Sequence, residues 1–277
     1  MWPFSSGPVV PVLRFTGTIG MATPLKQGLS LAASADAMAR AFKLSKLPTI
    51  AVIINSPGGS PVQSSLIFKR LRQLADEHKK KIYVFCDDVA ASGGYYLAVA
   101  GDEIYADACS IVGSIGVISG GFGFVEAIDK LGIDRRIYTS GKAKSQLDPF
   151  RPENPEDVAR LREILGDIHD AFIGVVKDRR GGRLTAPDAD IFSGAFWAAP
   201  KAAELGLIDG ITDVRTKMQE LHGPKVRLKV VPLSRGGLLS MLRRPGLEFG
   251  CHAAGTSLSD DILSTAEARA LWSRYGL

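Results

Sequence analysis

The sequence predicts an α/β fold, on three observations. Short apolar runs such as Thr49–Ile54 (TIAVII) and Lys81–Cys86 (KIYVFC) are strand-sized. Several such runs stop at turns of small residues, and amphipathic or small-residue helical segments come after them. A wholly apolar strand belongs to a sheet covered on both faces, and strand–turn–helix units in series build such a sheet with functional loops at strand ends.

In chain order, Val9–Ile19 is predicted as a strand and Leu31–Phe42 as an alanine-rich helix. Thr49–Ile54 and Lys81–Cys86 are strands, separated by a helix from Val62 to His78 with Leu66, Leu71 and Leu74 among its apolar positions. A helix over Tyr95–Ala100 follows, then strands at Glu103–Ala106 and Gly116–Ile118, a helix around Phe124–Leu131 and a strand at Asp134–Thr139. Pro155–Arg179 is the clearest helix. Asn154 is a good cap, Pro155 suits the first turn, and Glu156 and Asp157 favour the N-terminal dipole. Val158, Leu161, Leu165, Ile168, Phe172 and Val175 recur at spacings of three and four, which predicts one buried face. A helix at Pro200–Leu205 stops at Gly206, and a strand at Val226–Val231 comes next. Beyond it the composition turns to Gly, Ser and Arg, so residues 1–232 read as one domain and 233–277 as an extension that is flexible or packs on a neighbour.

Composition is that of a soluble globular protein, with 45% hydrophobic and 23% charged residues among 277. The net charge of +5 is scattered, with short clusters at Lys79–Lys81, Arg179-Arg180 and Arg243-Arg244. Clusters of this size decorate solvated helix ends, which argues against a nucleic-acid partner and is compatible with a weak peripheral attraction to anionic lipid. Cys86, Cys109 and Cys251 form no CxxC pair and suit a reducing, cytoplasmic setting. The four histidines lie apart without metal-ligand spacing, so no metal is expected, and there is no Walker motif to bind a nucleotide. No targeting segment or bilayer-spanning run is evident; the longest uncharged stretch, Ile111–Val125, is too short and glycine-rich.

Two glycine-rich turns carry the chemistry: NSPGGS at 55–60 and ASGGYY at 91–96. A serine just before Gly93-Gly94, where a strand turns into a helix, holds its hydroxyl at the tip of the turn. The following amide lies at a helix N-terminus, where it is free to donate to negative charge, as an oxyanion hole requires. The Gly58-Gly59 turn is positioned to supply a second donor, with Gly59 preferred. Serine needs a base, and none of His78, His169, His222 or His252 is framed by a glycine-rich turn. A lysine can take that role when burial lowers its pKa from about 10.4 towards neutrality.

With these residues in place, the runs INSPGGSPVQSS, FCDDVAASGGYYLAVAGDEIYA, IVGSIGVI and IYTSGKAKSQLDPFRPEN resemble the signal peptide peptidase A family, including its SohB-type members. FSGAFW and AAELGLIDGI resemble it as well, so the likeness runs from Val9 to Val214. It implies a fold similar to the Clp protease subunit and the crotonases, built from repeated β-β-α units, and a serine–lysine protease without cofactors. It implies Ser92 as nucleophile and Lys144 as general base, with Lys142 as competitor for the latter. The amides of Gly59 and Gly93 become the oxyanion donors. Gly58 and the segment Gly113–Ile118, with Gly113, Ser114 and Gly116, are expected to line the substrate cleft and to accept small or apolar side chains. Many members place Asp directly after the lysine, where this chain has Ser145 followed by Asp148-Pro149, and members usually carry an N-terminal membrane anchor. The resemblance further implies a homo-oligomer, ring- or dome-shaped, in some members with serine and lysine from adjacent subunits. The expected substrates are signal-peptide remnants or other short or unfolded polypeptides. Two rivals stand beside this reading: a crotonase-like acyl-CoA enzyme using the same paired amides, and a non-catalytic membrane-associated scaffold.

Overall fold

A computed structural model describes residues 7–20, 28–141, 143–233, 265–266 and 269–276. Its strands are β1 (Val9–Thr16), β2 (Thr49–Ser56), β3 (Lys81–Ala91), β4 (Glu103–Ala106), β5 (Ile111–Gly113), β6 (Phe196–Ala198), β7 (Gly210–Ile211) and β8 (Arg227–Val230). Helices are α1 (Leu31–Leu44), α2 (Pro61–His78), α3 (Gly93–Ala98), α4 (Val125–Lys130), α5 (Pro155–Arg180), α6 (Asp188–Ile191), α7 (Ala199–Glu204) and α8 (Val214–His222). Among the described residues the strands form one sheet in the order β6-β5-β3-β2-β1-β8, with β4 joining β3 to β7. Every pairing is parallel except β5 with β6. The α/β class and the apolar strands are as the sequence predicts.

Alternation of side chains along the strands splits the core between two faces. Leu13, Ile50, Val52, Ile54, Ile82 and Val84 pack with α1, α2 and α3 on one side. Val10, Val12, Ala51, Tyr83, Phe85 and Tyr105 pack with Met218 of α8 on the other. Cys86 is wholly buried, and burial pushes its thiol up to about 12, so it behaves as a small apolar group. On α2, Leu71 and Leu74 are buried as expected, while Leu66 is exposed.

The central irregularity lies between β2 and β3. Ile54 pairs with Cys86 but Ser56 pairs with Ala90, so two steps along β2 face four along β3. Asn55 spans the distortion: its side chain donates to Asp88 at 2.5 Å and accepts from the Val89 amide at 3.3 Å. Past it, β3 leaves β4 and takes β5 as its neighbour over Val89–Ala91. A bulge bends its strand and re-aims the side chains beyond it; here that side chain is Ser92.

Two expected strands are absent. Asp134–Thr139 has no regular secondary structure, because no strand of the described chain lies beside it. Gly116–Ile118 is likewise irregular; the ladder forms earlier, over Ile111–Gly113, where Val89–Ala91 offers a partner. Helix α5 is capped as predicted, with Asn154 accepting from the Glu156 amide at 2.9 Å. Its predicted apolar face is only half used. Phe172 and Val176 are buried, whereas Val158, Leu161, Leu165 and Ile168 are half-exposed.

The docked end of α5 is held by two arginines. Arg179 donates to the carbonyls of Val99 and Gly101 and to Asp102. Arg180 is buried and donates to the Gly206 carbonyl and to Asp209, both at 2.8 Å. Asp209 also accepts the Ile104 amide, so the ion pair ties α5 to β4. Replacing Arg180 by Ala should cost about 3 kcal/mol, because it removes a buried guanidinium and leaves the Gly206 carbonyl and the Asp209 carboxylate without their close partner. Urea denaturation checks this; a loss below about 0.5 kcal/mol would show that the pair does not anchor α5.

Candidate active site

Ser92 follows β3 directly and stands at the position before α3, a six-residue helix that is buried throughout. Its backbone sits at φ 52°, ψ −122°, a conformation that costs a residue with a side chain about 1–3 kcal/mol. Two hydrogen bonds enforce it. The Ser92 amide donates to the Gly113 carbonyl at 2.9 Å, and the Ser92 carbonyl accepts from the Tyr96 amide at 2.9 Å. The side chain is half-buried, and its hydroxyl does not cap the helix.

The other glycine turn comes to meet it. Ile19 donates to the Gly58 carbonyl and accepts from the Ser60 amide, both at 2.8 Å. This bridge turns the amide of Gly59, between them, to the opposite side. Gly59 must lack a side chain, since at φ 139° a Cβ would lie 2.2 Å from the Ile19 carbonyl oxygen. At Gly58 a Cβ would lie 2.8 Å from that of Ser92 and 2.9 Å from the Gly93 nitrogen. The buried Ser56 side chain accepts from the Gly58 amide at 3.2 Å and braces the turn from behind. Among the described residues no acceptor takes the amide of Gly59 or Gly93.

Ser92, Gly59 and Gly93 share one cavity of about 250 Å³. Tyr96 and Phe172, whose rings meet at 4.9 Å, wall it with Ile168, Val117 and Ile118. Gly116 lines it, while Gly58, Gly113 and Ser114 do not; Gly113 serves as the acceptor that fixes Ser92. Ile168 and Phe172 carried a signal in the sequence, the apolar spacing of α5. Leu271 and Arg274 also line the cavity, and nothing in the sequence connected them to it.

Lys144 is not brought to Ser92 within the chain. It is exposed, in a turn closed by its own amide donating to the Gly141 carbonyl at 3.2 Å, and it does not line the cavity. Its loop is organised around Asp148, which accepts from the Phe150 amide and from Arg135 at 3.1 and 3.2 Å. The amide of Phe150 and then the Arg135 guanidinium hold this carboxyl below the usual carboxylate range. Arg135 stacks over the Phe150 ring, which in turn stacks on Phe124. Lys142, Arg243, Arg244, Cys251 and His252 lie outside the described residues. So does most of the 233–277 extension; its residues 269–276 pack on strands β3 and β5.

Residues 75–227 match the model of peptidase family S49. The chain belongs to peptidase family S49. It is 30% identical to a putative protease of Synechocystis over 76% of its length and 72% of that protein's. It is 32% identical to a putative signal peptide peptidase of Enterococcus faecium over 57% of its length and 45% of that protein's. A Brucella abortus protein named as a Na(+)/H(+) antiporter is 49% identical over 97% of the chain. The chain spans 37% of that relative, so the transport name carries no argument about the S49 segment. These matches bear out the resemblance drawn from the motifs, and with it the Clp protease-like α/β class of this S49 chain. Among the described residues no helix is long and apolar enough to cross a membrane.

The contacts at Gly58 generate a test. Gly58→Ala should fold with native circular dichroism, yet label with a serine-reactive probe about 10²-fold more slowly than wild type, since the methyl displaces both Ser92 and the Gly93 donor. Labelling at the wild-type rate would show that the turn does not set the reactivity of Ser92.

Proposed function

We propose that the chain is a serine peptidase in which Ser92 is the nucleophile, Lys144 the general base, and the amides of Gly59 and Gly93 the oxyanion hole. One observation carries this reading: a serine held at positive φ shares a cavity with two glycine amides left without acceptors among the described residues. Backbone N–H donors fixed before reaction need no reorganisation when charge develops on the carbonyl oxygen.

Neutral Lys144 takes the Ser92 proton as Oγ attacks the peptide carbonyl carbon, and the oxyanion rests on the two amides. The intermediate collapses as the lysine ammonium gives its proton to the leaving amine, which departs and leaves the acyl chain on Ser92. A water then gives a proton to Lys144 and attacks the ester; Ser92 regains its proton as the acid product leaves. No cofactor enters this cycle. The apolar walls favour small or apolar side chains, and the substrates are signal-peptide remnants or other short or unfolded polypeptides. The relative from Enterococcus faecium is named as a peptidase of signal peptides.

We further propose that the dyad is shared between subunits of a homo-oligomer. Lys144 stands on a limb, residues 116–154, that exposes Phe122 at 80%, Leu131 at 72% and Tyr138 at 91%. Apolar groups so exposed mark an interaction surface. A second copy covering this limb would bury Lys144 and favour the neutral form a base requires. The cytoplasm suits the free thiols of Cys86 and Cys109, and contact with a membrane would be peripheral.

Turnover of short fluorogenic peptides tests both parts. Ser92→Ala and Lys144→Ala should each lose about 10³-fold or more in kcat/KM, and wild-type activity should rise with pH as the base loses its proton. Co-expressing the two inactive variants should restore part of the activity, since mixed assemblies contain intact pairs. Full activity in either variant overturns the dyad, and failure of the mixture to recover overturns its sharing.

A further inference from the structure

The described C-terminal residues pack against the strands that hold Ser92. Residues 269–273 are helical and 274–276 turn back. Trp272 and Tyr275 pack with Val89, Ala91 and Ile111, on the two strands joined by the Ser92–Gly113 hydrogen bond. Tyr275 is buried, and its ring meets that of Phe196 edge-on at 5.1 Å. In a helical segment residues three apart lie together, so Leu271 and Arg274 share the neighbouring face. Both line the Ser92 cavity.

Arg274 gives that cavity its charge. The other lining side chains are apolar, hydroxyl-bearing or absent, and among the described residues no carboxylate pairs with Arg274. Arg274 is exposed to solvent, so it stands at the cavity's rim, where its guanidinium offers a planar fork of donors that matches a carboxylate. Anchoring by Trp272 and Tyr275 lowers the freedom that Arg274 would otherwise lose on binding.

We infer that the C-terminal helix is a wall of the substrate site, and that Arg274 selects peptides with a carboxylate close to the scissile bond. That carboxylate is an Asp or Glu side chain or the α-carboxylate at a peptide's end. The inference rests on Ser92 as nucleophile, which sets where the scissile bond lies. It adds a charge preference to a cavity whose remaining walls favour apolar groups, and it gives the C-terminal extension a part in catalysis.

Matched fluorogenic peptides offered to the full-length chain test it. One set exchanges Glu for Gln at each position flanking the cleavage point, and the other exchanges a free C-terminal acid for an amide. The carboxylate member of one set should be cleaved with about tenfold higher kcat/KM, mainly through KM, and the ratio should shrink between about 0.05 and 0.5 M salt. Which set responds identifies the source of the carboxylate. Arg274→Gln should bring the ratio close to one. Arg274→Glu should invert it, favouring Lys over Glu at the same position, an outcome that a purely structural role would not produce. Binding of the same pairs to the Ser92→Ala protein, read by fluorescence anisotropy, should follow the same order. Equal handling of all pairs, or a preference that survives in Arg274→Gln, overturns the inference while leaving the peptidase intact. If wild type cleaves nothing, the peptidase reading falls, and anisotropy alone then decides for or against the carboxylate preference.

Discussion

The hydrogen bond from the Ser92 amide to the Gly113 carbonyl is the constraint on which the rest of the site depends. It exists because β3 carries two more residues than β2 across their distortion, and so reaches β5 with Ala91 opposite Gly113. Once the Ser92 amide is committed there, continuing into α3 requires the chain to reverse within one residue, and positive φ is the result. The strain is supported from below. Helix α3 is buried on all sides, and the Tyr95 hydroxyl donates to the Leu207 carbonyl at 2.7 Å. Burial pushes the Tyr95 phenol far up, so this anchor keeps its proton across the working pH range. Against that fixed floor the Gly58-Gly59 turn needs only its bridge to Ile19 to set a second donor beside the first.

The described structure divides into a packed half and a projecting half, and the division follows the arginines of α5. Where Arg179 and Arg180 tie the helix to α3 and the sheet, Phe172 and Val176 are buried. One and a half turns earlier the same apolar stripe runs out into solvent. Ser92 and the amides of Gly59 and Gly93 lie in the packed half. Lys144 lies on the projecting half, in a loop whose order comes from its own aromatic stack and from Asp148 rather than from the core. The departure from the family at Ser145 and Asp148 has a local meaning: the acid shapes the loop through the Phe150 amide and Arg135.

Residues whose conformations are set by local backbone chemistry were legible in the sequence. Ser92, Gly59 and Gly93 stand in turns whose small residues have one reason to be there, and the structure gives each the conformation those turns require. Asn154 and Pro155 announced a helix start in the same way. Features that depend on distant partners were not legible. The Asp134–Thr139 run has strand composition, yet a strand is a property of two segments, and no neighbour lies beside it. The stripe on α5 predicted burial along its length, but periodicity cannot say how far the covering core extends. Arg274 is the extreme case. It is separated from Ser92 by most of the catalytic domain, and no spacing rule relates a helical tail to a cleft it reaches only after folding.

These divisions bear on how such an enzyme avoids indiscriminate proteolysis. An oxyanion hole by itself is inert without a base to activate the serine. A lysine by itself is inert as a base while water keeps it charged. If both conditions are met only when the exposed limb of one chain is covered by another, activity becomes a property of assembly, and an isolated chain carries half a site. The Trp272 and Tyr275 anchors act on a different step. They hold a wall beside the Ser92 cavity within the chain itself, so that in a shared-dyad assembly selection among peptides would be made by the chain that contributes Ser92.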